Sequence, residues 1–237
     1  MKKSLLLTIL FLLLTIPLTM VAAKKSVDVG QLRYTVDTDA NTAEVYGPIS
    51  SDVKIHNLVI PDFIDYNGSQ IPVTSIRIYA FYGYTGLTGS LIIGNSVTTI
   101  GGSAFQSCTG FTGSLTIGES VTTIGHTAFY GCTGFTGSLT IGHSVTTIGG
   151  SAFCECSGFT GLLTIGDSVL SIGDYAFQGC SGLSGSLTIG DSVTTIGNGA
   201  FQGCSGLSGS LTIGDSVTSI GDSAFSGCST ISSLDIK

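Results

Sequence analysis

The chain of 237 residues contains no tryptophan, whereas glycine occurs 35 times. A conventional globular domain of this length normally contains far fewer glycines and at least some of the largest aromatic side chains. The composition therefore argues against a conventional core, and an internal repeat is the first pattern to look for.

Positive charge is missing from most of the chain, because no lysine or arginine occurs between Ile78 and Ile236. The same stretch carries eight carboxylates, which repel the phosphates of nucleic acids and of anionic membrane surfaces. We therefore expect no nucleic acid among the partners. The eight acidic residues are Glu119, Glu155, Asp167, Asp174, Asp191, Asp215, Asp222 and Asp235.

Motifs for catalysis and metal binding are also missing. Only His56, His126 and His143 are available as imidazole bases. The sequence contains neither a G-x-S-x-G nucleophile elbow nor an H-E-x-x-H metal motif, and it has no D-x-D-x-D-G calcium loop. We predict that the protein is not an enzyme and that it uses no catalytic residue, cofactor or metal ion.

Residues 1–23 have the pattern of a secretory signal peptide. Lys2 and Lys3 precede an apolar run that ends in Val21-Ala22-Ala23, the small residues that a signal peptidase requires. A transmembrane anchor is the alternative, but the polar residues 24–26 that follow favour cleavage after Ala23. We expect the mature chain to be secreted or located at the cell surface, without insertion into the membrane.

One repeating unit, of which residues 109–132 are an example, dominates the rest of the chain and is marked by seven phenylalanines that each follow an alanine. Within this unit, Leu115 and Ile117 flank Thr116, so an extended backbone points the two apolar side chains inward and the threonine outward. Val121 and Ile124 begin a second short strand. Stacked units can bury their apolar side chains against one another. The seven phenylalanines are Phe81, Phe105, Phe129, Phe153, Phe177, Phe201 and Phe225.

The frame I-x-x-S-V-x-x-I-G-x-x-A-F-x-x-C recurs in every full unit, as in residues 211–228, L-T-I-G-D-S-V-T-S-I-G-D-S-A-F-S-G-C. It resembles the Treponema pallidum-type leucine-rich repeat of the BspA-like proteins, named after Bacteroides surface antigen A. The resemblance implies a β-rich solenoid, a right-handed leucine-rich-repeat superhelix of about seven 24-residue turns with a parallel β-sheet face. It also implies a bacterial surface or secreted adhesin that contacts host proteins or other cells.

The two ends depart from the repeat. Residues 24–57 alternate apolar and polar side chains on either side of a turn signal at Asp39-Ala40-Asn41, which predicts an N-terminal β-hairpin cap. We assign residues 58–237 to the solenoid, with a second hairpin inserted at Asn67-Gly68. Leu234-Asp235-Ile236 is the strand of an incomplete eighth turn, and we expect this edge to allow self-association.

Six of the seven cysteines share one repeat position, which is occupied by Tyr84 in the first unit. We predict a ladder of buried free thiols, because stacked coils lie about 4.8 Å apart, wider than the usual Cβ separation in a disulfide. Disulfides and metal ligation remain alternatives. Cys154 lies outside the ladder, and we expect it to be the accessible thiol. The ladder consists of Cys108, Cys132, Cys156, Cys180, Cys204 and Cys228.

The outward positions of the repeat form rows of small polar and acidic residues, and the extended faces of solenoids commonly serve as binding surfaces. We expect a protein or glycan ligand on host or neighbouring cells to bind there. Alternatively, the acidic row consists of solvated turn residues, and the protein is a structural spacer without a dedicated ligand. The predicted partner-binding residues are Ser114, Thr116, Ser138, Thr140, Thr164, Thr188, Thr212, Asp167, Asp191 and Asp215.

Overall fold

A computed structural model describes residues 24–237, so the predicted signal peptide lies outside the described residues. Between residues 24 and 237 the chain forms nineteen strands and no helix. Stacked coils, each one repeat long, follow an irregular N-terminal region, which confirms the predicted β-solenoid.

The strands fall into an N-terminal group and a repeating pair. The first group comprises β1 (Lys24–Val29), β2 (Leu32–Asp37), β3 (Thr42–Pro48), β4 (Ile55–Ile60), β5 (Phe63–Tyr66) and β6 (Ser69–Ile76). Each later coil adds a face strand and then, until the last, a two-residue strand. These are β7 (Leu87–Ile93) and β8 (Thr99–Ile100), β9 (Phe111–Thr116) and β10 (Thr123–Ile124), β11 (Leu139–Ile141) and β12 (Thr147–Ile148), β13 (Leu163–Ile165) and β14 (Ser171–Ile172), β15 (Gly185–Ile189) and β16 (Thr195–Ile196), β17 (Leu207–Ile213) and β18 (Ser219–Ile220), and finally β19 (Thr230–Ile236).

The two-residue strands stack into one continuous sheet that also includes the cap. Its strand order is β1-β2-β3-β6-β8-β10-β12-β14-β16-β18, with β5 paired to β6. Thr123 pairs with Thr147 and Ile124 with Ile148 in parallel register, so each coil repeats the one before it. The face strands form three separate sheets instead, β4-β7-β9, β11-β13 and β15-β17-β19.

Stacked phenylalanines fill the middle of the solenoid. The Phe81 and Phe105 ring centroids lie 5.0 Å apart with the rings 5° from parallel, and the stacking continues from coil to coil up to Phe225. A shorter column begins with Phe111 and Phe135, whose centroids are 4.5 Å apart. Rings inside the long column are covered above and below by identical rings, so the repeat packs efficiently although no single coil has a core.

The cysteine ladder lies beside this column, and all seven cysteines are free thiols, as predicted. Each ladder thiol donates a hydrogen bond to a phenylalanine carbonyl of the preceding coil, for example Cys132 Sγ to Phe105 O at 3.0 Å. Burial raises the pKa of Cys132 well above its ordinary value, which keeps the thiol protonated and able to donate. In the first coil Tyr84 takes this position, and its hydroxyl donates to the Val53 carbonyl.

Cys154 is not the accessible thiol, and that prediction was wrong. Only 4% of its surface is exposed, and its Sγ lies 3.5 Å from Gln178 Oε1 of the next coil. Gln178 holds the same repeat position in the next coil and has the longer side chain, which lies against the thiol. Burial raises the pKa of Cys154 to about 11. Among the seven thiols, Cys228 in the last complete coil is the one that is only partly buried.

The N-terminal region is more extensive than a hairpin. β1 adds a third antiparallel strand, with Lys24 opposite Asp37, and β3 then pairs in parallel with β6 of the solenoid. The first face strand, β4, crosses the predicted boundary at residues 57 and 58. The second hairpin is confirmed: β5 and β6 pair across Asn67-Gly68, both with positive φ as a tight two-residue turn requires.

Candidate functional site

The outward side of the face strands is the surface on which the sequence predicted binding, and we call it the strand face. Thr116 is exposed between the buried Leu115 and Ile117, and the same alternation recurs in the following coils. The predicted threonines therefore lie in one row, in which the strand-paired neighbours Thr140 and Thr164, and again Thr188 and Thr212, are about 4.8 Å apart. The row consists of Thr116, Thr140, Thr164 and Thr188, which are exposed, and Thr212, which is half-exposed.

The serines of this face have a structural task that the threonines lack. Ser90 Oγ accepts a hydrogen bond from the backbone N–H of Ser114 at 3.1 Å, and Ser138 Oγ accepts one from Leu162 N at 3.1 Å. Each of these serines thus satisfies a backbone donor of the next coil, which helps to hold neighbouring coils together. Ser114 and Ser138 as partner-binding residues stay predictions.

Two clefts interrupt the strand face, because neighbouring face strands separate at two places. The first cleft lies between β9 and β11, has a volume of about 200 Å³ and is lined by Leu115, Thr116, Ile117, Glu119, Thr140 and Gly142. The second cleft lies between β13 and β15, has a volume of about 310 Å³ and is lined by Leu162, Leu163, Thr164, Ile165, Asp167, Ser186 and Thr188. Strand pairing is interrupted at both openings, although Leu162 and Ser184 still form a single parallel bridge beside the second cleft.

The space around the glycine that follows each face strand shows where neighbouring coils are in close contact and where they are separated. A methyl group built on Gly166 would lie 2.4 Å from the carbonyl oxygen of Gly142, so these two coils are in close contact. On Gly142 and on Gly190 the nearest atom would be 3.9 Å away. The two clefts are therefore separated by one closed contact, and the openings lie two coils apart.

Backbone conformation before the strands differs across each cleft. Gly137 and Gly185, which precede the strands on the far side of each cleft, have φ values of 80° and 79°. Gly113 and Gly161, at the same repeat position in the coils before them, do not have positive φ. Glycine permits both conformations at little cost. The same difference occurs across closed contacts, between Gly89 and Gly113 and between Gly137 and Gly161, so it does not by itself mark a cleft.

The predicted acidic row lies along one edge of the strand face. Glu119 lines the first cleft and Asp167 the second, so each cleft contains one carboxylate. Asp191 pairs with Lys237 Nζ at 3.1 Å, and Asp215 accepts a hydrogen bond from Ser216 at 3.2 Å. Within residues 24–237 no three histidine, cysteine or acidic side chains come together as metal ligands would.

A second exposed surface, which the sequence analysis missed, lies where the cap meets the first coil. We call it the aromatic patch, and it consists of Tyr46, Arg77, Ile78, Tyr79 and Tyr82. The Arg77 guanidinium lies 4.5 Å from the centroid of the Tyr46 ring, and the rings of Tyr79 and Tyr82 meet edge to face at 5.7 Å. The three tyrosines and the isoleucine are each 46% to 58% exposed. A cavity of about 250 Å³ is lined by Tyr46, Arg77, Ile78 and Tyr79.

A register comparison along the repeat would have revealed this patch. In the second coil the positions of Arg77, Ile78, Tyr79 and Tyr82 are held by Gly101, Gly102, Ser103 and Gln106. The later coils also have glycine at the first of these positions, where an added methyl group would lie 2.4–2.6 Å from backbone atoms of the preceding coil. Arg77 escapes this clash because the preceding element is β3 of the cap, and Arg77 N bonds to Val45 O.

Comparison with known proteins identifies the repeat. The model of the BspA type leucine rich repeat region matches in six copies over residues 74–163 and 160–237, more than half of the chain. The chain belongs to the BspA-type leucine-rich repeat family. Its cysteine ladder, phenylalanine column and strand face are therefore features of a BspA-type solenoid.

Solved structures share this BspA-type fold. The leucine-rich repeat protein of Treponema pallidum is 26% identical, with a TM-score of 0.72 over 88% of this chain and 91% of that protein. A leucine-rich cell surface protein of Faecalibacterium prausnitzii is 21% identical, with a TM-score of 0.50 over 90% of this chain and 76% of that one. A search of curated proteins found no match. Within residues 24–237, no helix is long and apolar enough to cross a membrane.

Proposed function

We propose that this BspA-type protein is exported to the cell surface or secreted, and that its strand face binds a protein or glycan ligand on host or neighbouring cells. An adhesive role is in keeping with the family and with a structural relative described as a cell surface protein. The sequence feature in favour of export is the signal-peptide pattern of residues 1–23.

The observation that carries this proposal is the interruption of the strand face by the two clefts. A solenoid that acted only as a spacer would gain stability from pairing its face strands continuously. Here each of the two openings presents two threonines and one carboxylate, Glu119 or Asp167. Such convergent hydrogen-bonding groups in concave, partly apolar surroundings are typical of ligand sites.

The test is binding of residues 24–237 to immobilised matrix proteins and glycans, compared with a variant that fills both clefts. Thr140→Arg and Thr188→Arg place a long side chain in each opening at exposed positions. We expect binding at micromolar concentration by the unmodified protein and at least a tenfold loss in the double variant.

Thr133→Arg is the matched control, because Thr133 is also an exposed threonine but lies outside the strand face. Its binding should equal that of the unmodified protein, and thermal melting should show all three proteins folded. Absence of any ligand, or equal binding by the cleft variant, would contradict the proposal and favour a structural spacer.

Self-association through β19 stays a prediction. Leu234 and Ile236 are exposed there, and β19 pairs with β17 on one side. Light scattering over a range of concentrations should show dimers that dissociate when Leu234 and Ile236 are replaced by serine. A strictly monomeric unmodified protein would exclude this contact.

A further inference from the structure

The aromatic patch is the part of the described chain that packing explains least. Later coils adopt the same backbone with glycine in place of Arg77. Single tyrosines recur at Tyr130 and Tyr175, but within the described residues only the first coil combines an arginine, an isoleucine and two tyrosines at these four repeat positions. Tyr79 has φ of 61°, and at the same repeat position Gly199 occurs with φ of 57°. A glycine therefore suits the backbone better than tyrosine, and the tyrosine is not required for the fold.

We propose that the aromatic patch is a binding site for a sugar ring that bears a carboxylate. The cavity of about 250 Å³ between Tyr46, Arg77, Ile78 and Tyr79 is smaller than the sites of drug-sized ligands and suits a single pyranose ring. The exposed tyrosine rings provide negative faces against which the C–H groups of a sugar pack. This site is separate from the strand face.

Arg77 supplies the selectivity for negative charge. It is the one lysine or arginine between Lys54 and Lys237, and within residues 24–237 no carboxylate lies within 4 Å of its guanidinium. The Tyr46 ring holds the guanidinium at 4.5 Å by a cation–π contact and leaves the N–H edge of the guanidinium able to donate. A pre-positioned guanidinium donates two parallel hydrogen bonds to a carboxylate with little further loss of side-chain entropy.

The charge of the rest of the molecule limits the ligand to a short anion. The solenoid beyond the first coil has eight carboxylates and no lysine or arginine before Lys237, so a long polyanion lying along it would be repelled. An anionic sugar at the end of a chain, or in a short oligosaccharide, places its single charge at Arg77 without crossing the acidic surface. Sialic acids and hexuronic acids both satisfy this description.

The experiment measures binding of residues 24–237 to three defined probes by ligand-observed NMR and by titration. The probes are 3′-sialyllactose, a glucuronic acid disaccharide and neutral lactose. We expect one or both anionic sugars to bind and lactose to bind at least about tenfold more weakly, because a neutral sugar cannot accept charge-assisted hydrogen bonds from the guanidinium. The two anionic probes distinguish a sialic acid from a uronic acid.

Variants that copy other coils separate binding from folding. Tyr79→Gly and Tyr82→Gln introduce residues that the frame already accepts at Gly199 and Gln106, and Arg77→Gln removes the charge. We expect each to weaken the anionic sugar about fivefold or more while the melting temperature stays within a few degrees. Arg77→Gln should also abolish the preference over lactose.

Three outcomes would overturn the inference: no binding of either anionic sugar, equal binding of lactose, or unchanged binding by Arg77→Gln. The cleft variant with Thr140→Arg and Thr188→Arg should keep its sugar binding, since the patch lies on another surface. Loss of sugar binding in the cleft variant together with its retention in the patch variants would assign the site to the strand face. The inference would then fail while the proposed adhesive function survived.

Discussion

The first coil and the later coils share one backbone but differ in what they present to solvent. Later coils place mostly glycine, small polar residues and carboxylates outside, whereas the first coil places an arginine, an isoleucine and two tyrosines beside a tyrosine of the cap. Inside, both have the same phenylalanine column. The comparison separates residues that the stacking requires from residues that it merely tolerates, and the second group is where binding specificity can reside.

The largest loss of stability is expected when one ring is removed from the phenylalanine column, which the first coil and the later coils share. Phe153→Ala should lower the free energy of unfolding by about 3–5 kcal/mol, because it leaves a cavity between the rings of Phe129 and Phe177. Denaturation in urea measures this loss. Tyr82→Gln in the first coil is the control, and it should change stability by only about 0.5 kcal/mol. Similar losses in the two variants would mean that the exposed tyrosine is structural.

A smaller effect is expected at the repeat position of Arg77, which is occupied by glycine in every later coil. Gly149→Ala should cost about 1–3 kcal/mol, since its methyl group would lie 2.6 Å from backbone atoms of residues 125 and 126. Arg77→Ala at the equivalent position should cost only the cation–π contact with Tyr46, about 0.5–1 kcal/mol. Thermal melting compares the stability of the two variants. A larger loss of stability in Arg77→Ala than in Gly149→Ala would contradict the view that stacking requires glycine in the later coils and only tolerates the arginine in the first.

The same approach compares closed and open spacing along the strand face. Gly166→Ala should destabilise the protein by about 1–3 kcal/mol, because the methyl group would lie 2.4 Å from Gly142 O. Gly190→Ala should be close to neutral, because its methyl group would have 3.9 Å of space in the second cleft. Equal losses in urea denaturation would show that the cleft is closed in solution.

The smallest effect at neutral pH concerns the cysteine ladder, which begins only in the second coil. Burial raises the pKa of Cys108 and Cys204 from 9.0 to about 12. Between these two values the unfolded chain loses thiol protons that the folded chain retains, so stability should fall as the pH rises from about 9 to about 12. The free energy of unfolding at pH 8 and at about pH 10.5 measures the slope.

Replacing two ladder thiols, Cys132→Ala and Cys156→Ala, should reduce that slope. In the folded protein, Cys228 should react with a thiol reagent before any other cysteine, because it is the partly buried one. Rapid labelling of Cys154 would contradict its burial beside Gln178.

Strict periodicity made the core predictable. The recurrence of phenylalanine and cysteine once in every repeat and the alternation of Leu115, Thr116 and Ile117 correctly predicted the stacked column, the buried thiols and the outward threonine row. In-register stacking places equal residues on top of one another, so a position that is buried in one coil is buried in nearly all. The prediction for Cys154 failed because its burial depends on the next coil, where the longer side chain of Gln178 lies against it.

The clefts could not have been predicted, since the coils on the two sides of the first cleft have the same sequence at the start of the face strand. Gly113 and Gly137 occur in the same T-G-S-L context, yet only Gly137 has positive φ. A residue that permits two conformations at similar energy leaves the choice to packing between coils. The aromatic patch, in contrast, was visible as a group of departures from the frame within one coil, and aligning the coils by their phenylalanines is sufficient to find it.

The two-residue strands also determine how the molecule responds to force. Their hydrogen bonds, such as those between β10 and β12, run along the solenoid axis, because the strands themselves lie across it. Tension between the two ends therefore pulls neighbouring coils directly apart and loads few bonds at a time, whereas a force across the axis is shared by many coils. A BspA-type solenoid stretched between its two ends would therefore extend one coil at a time.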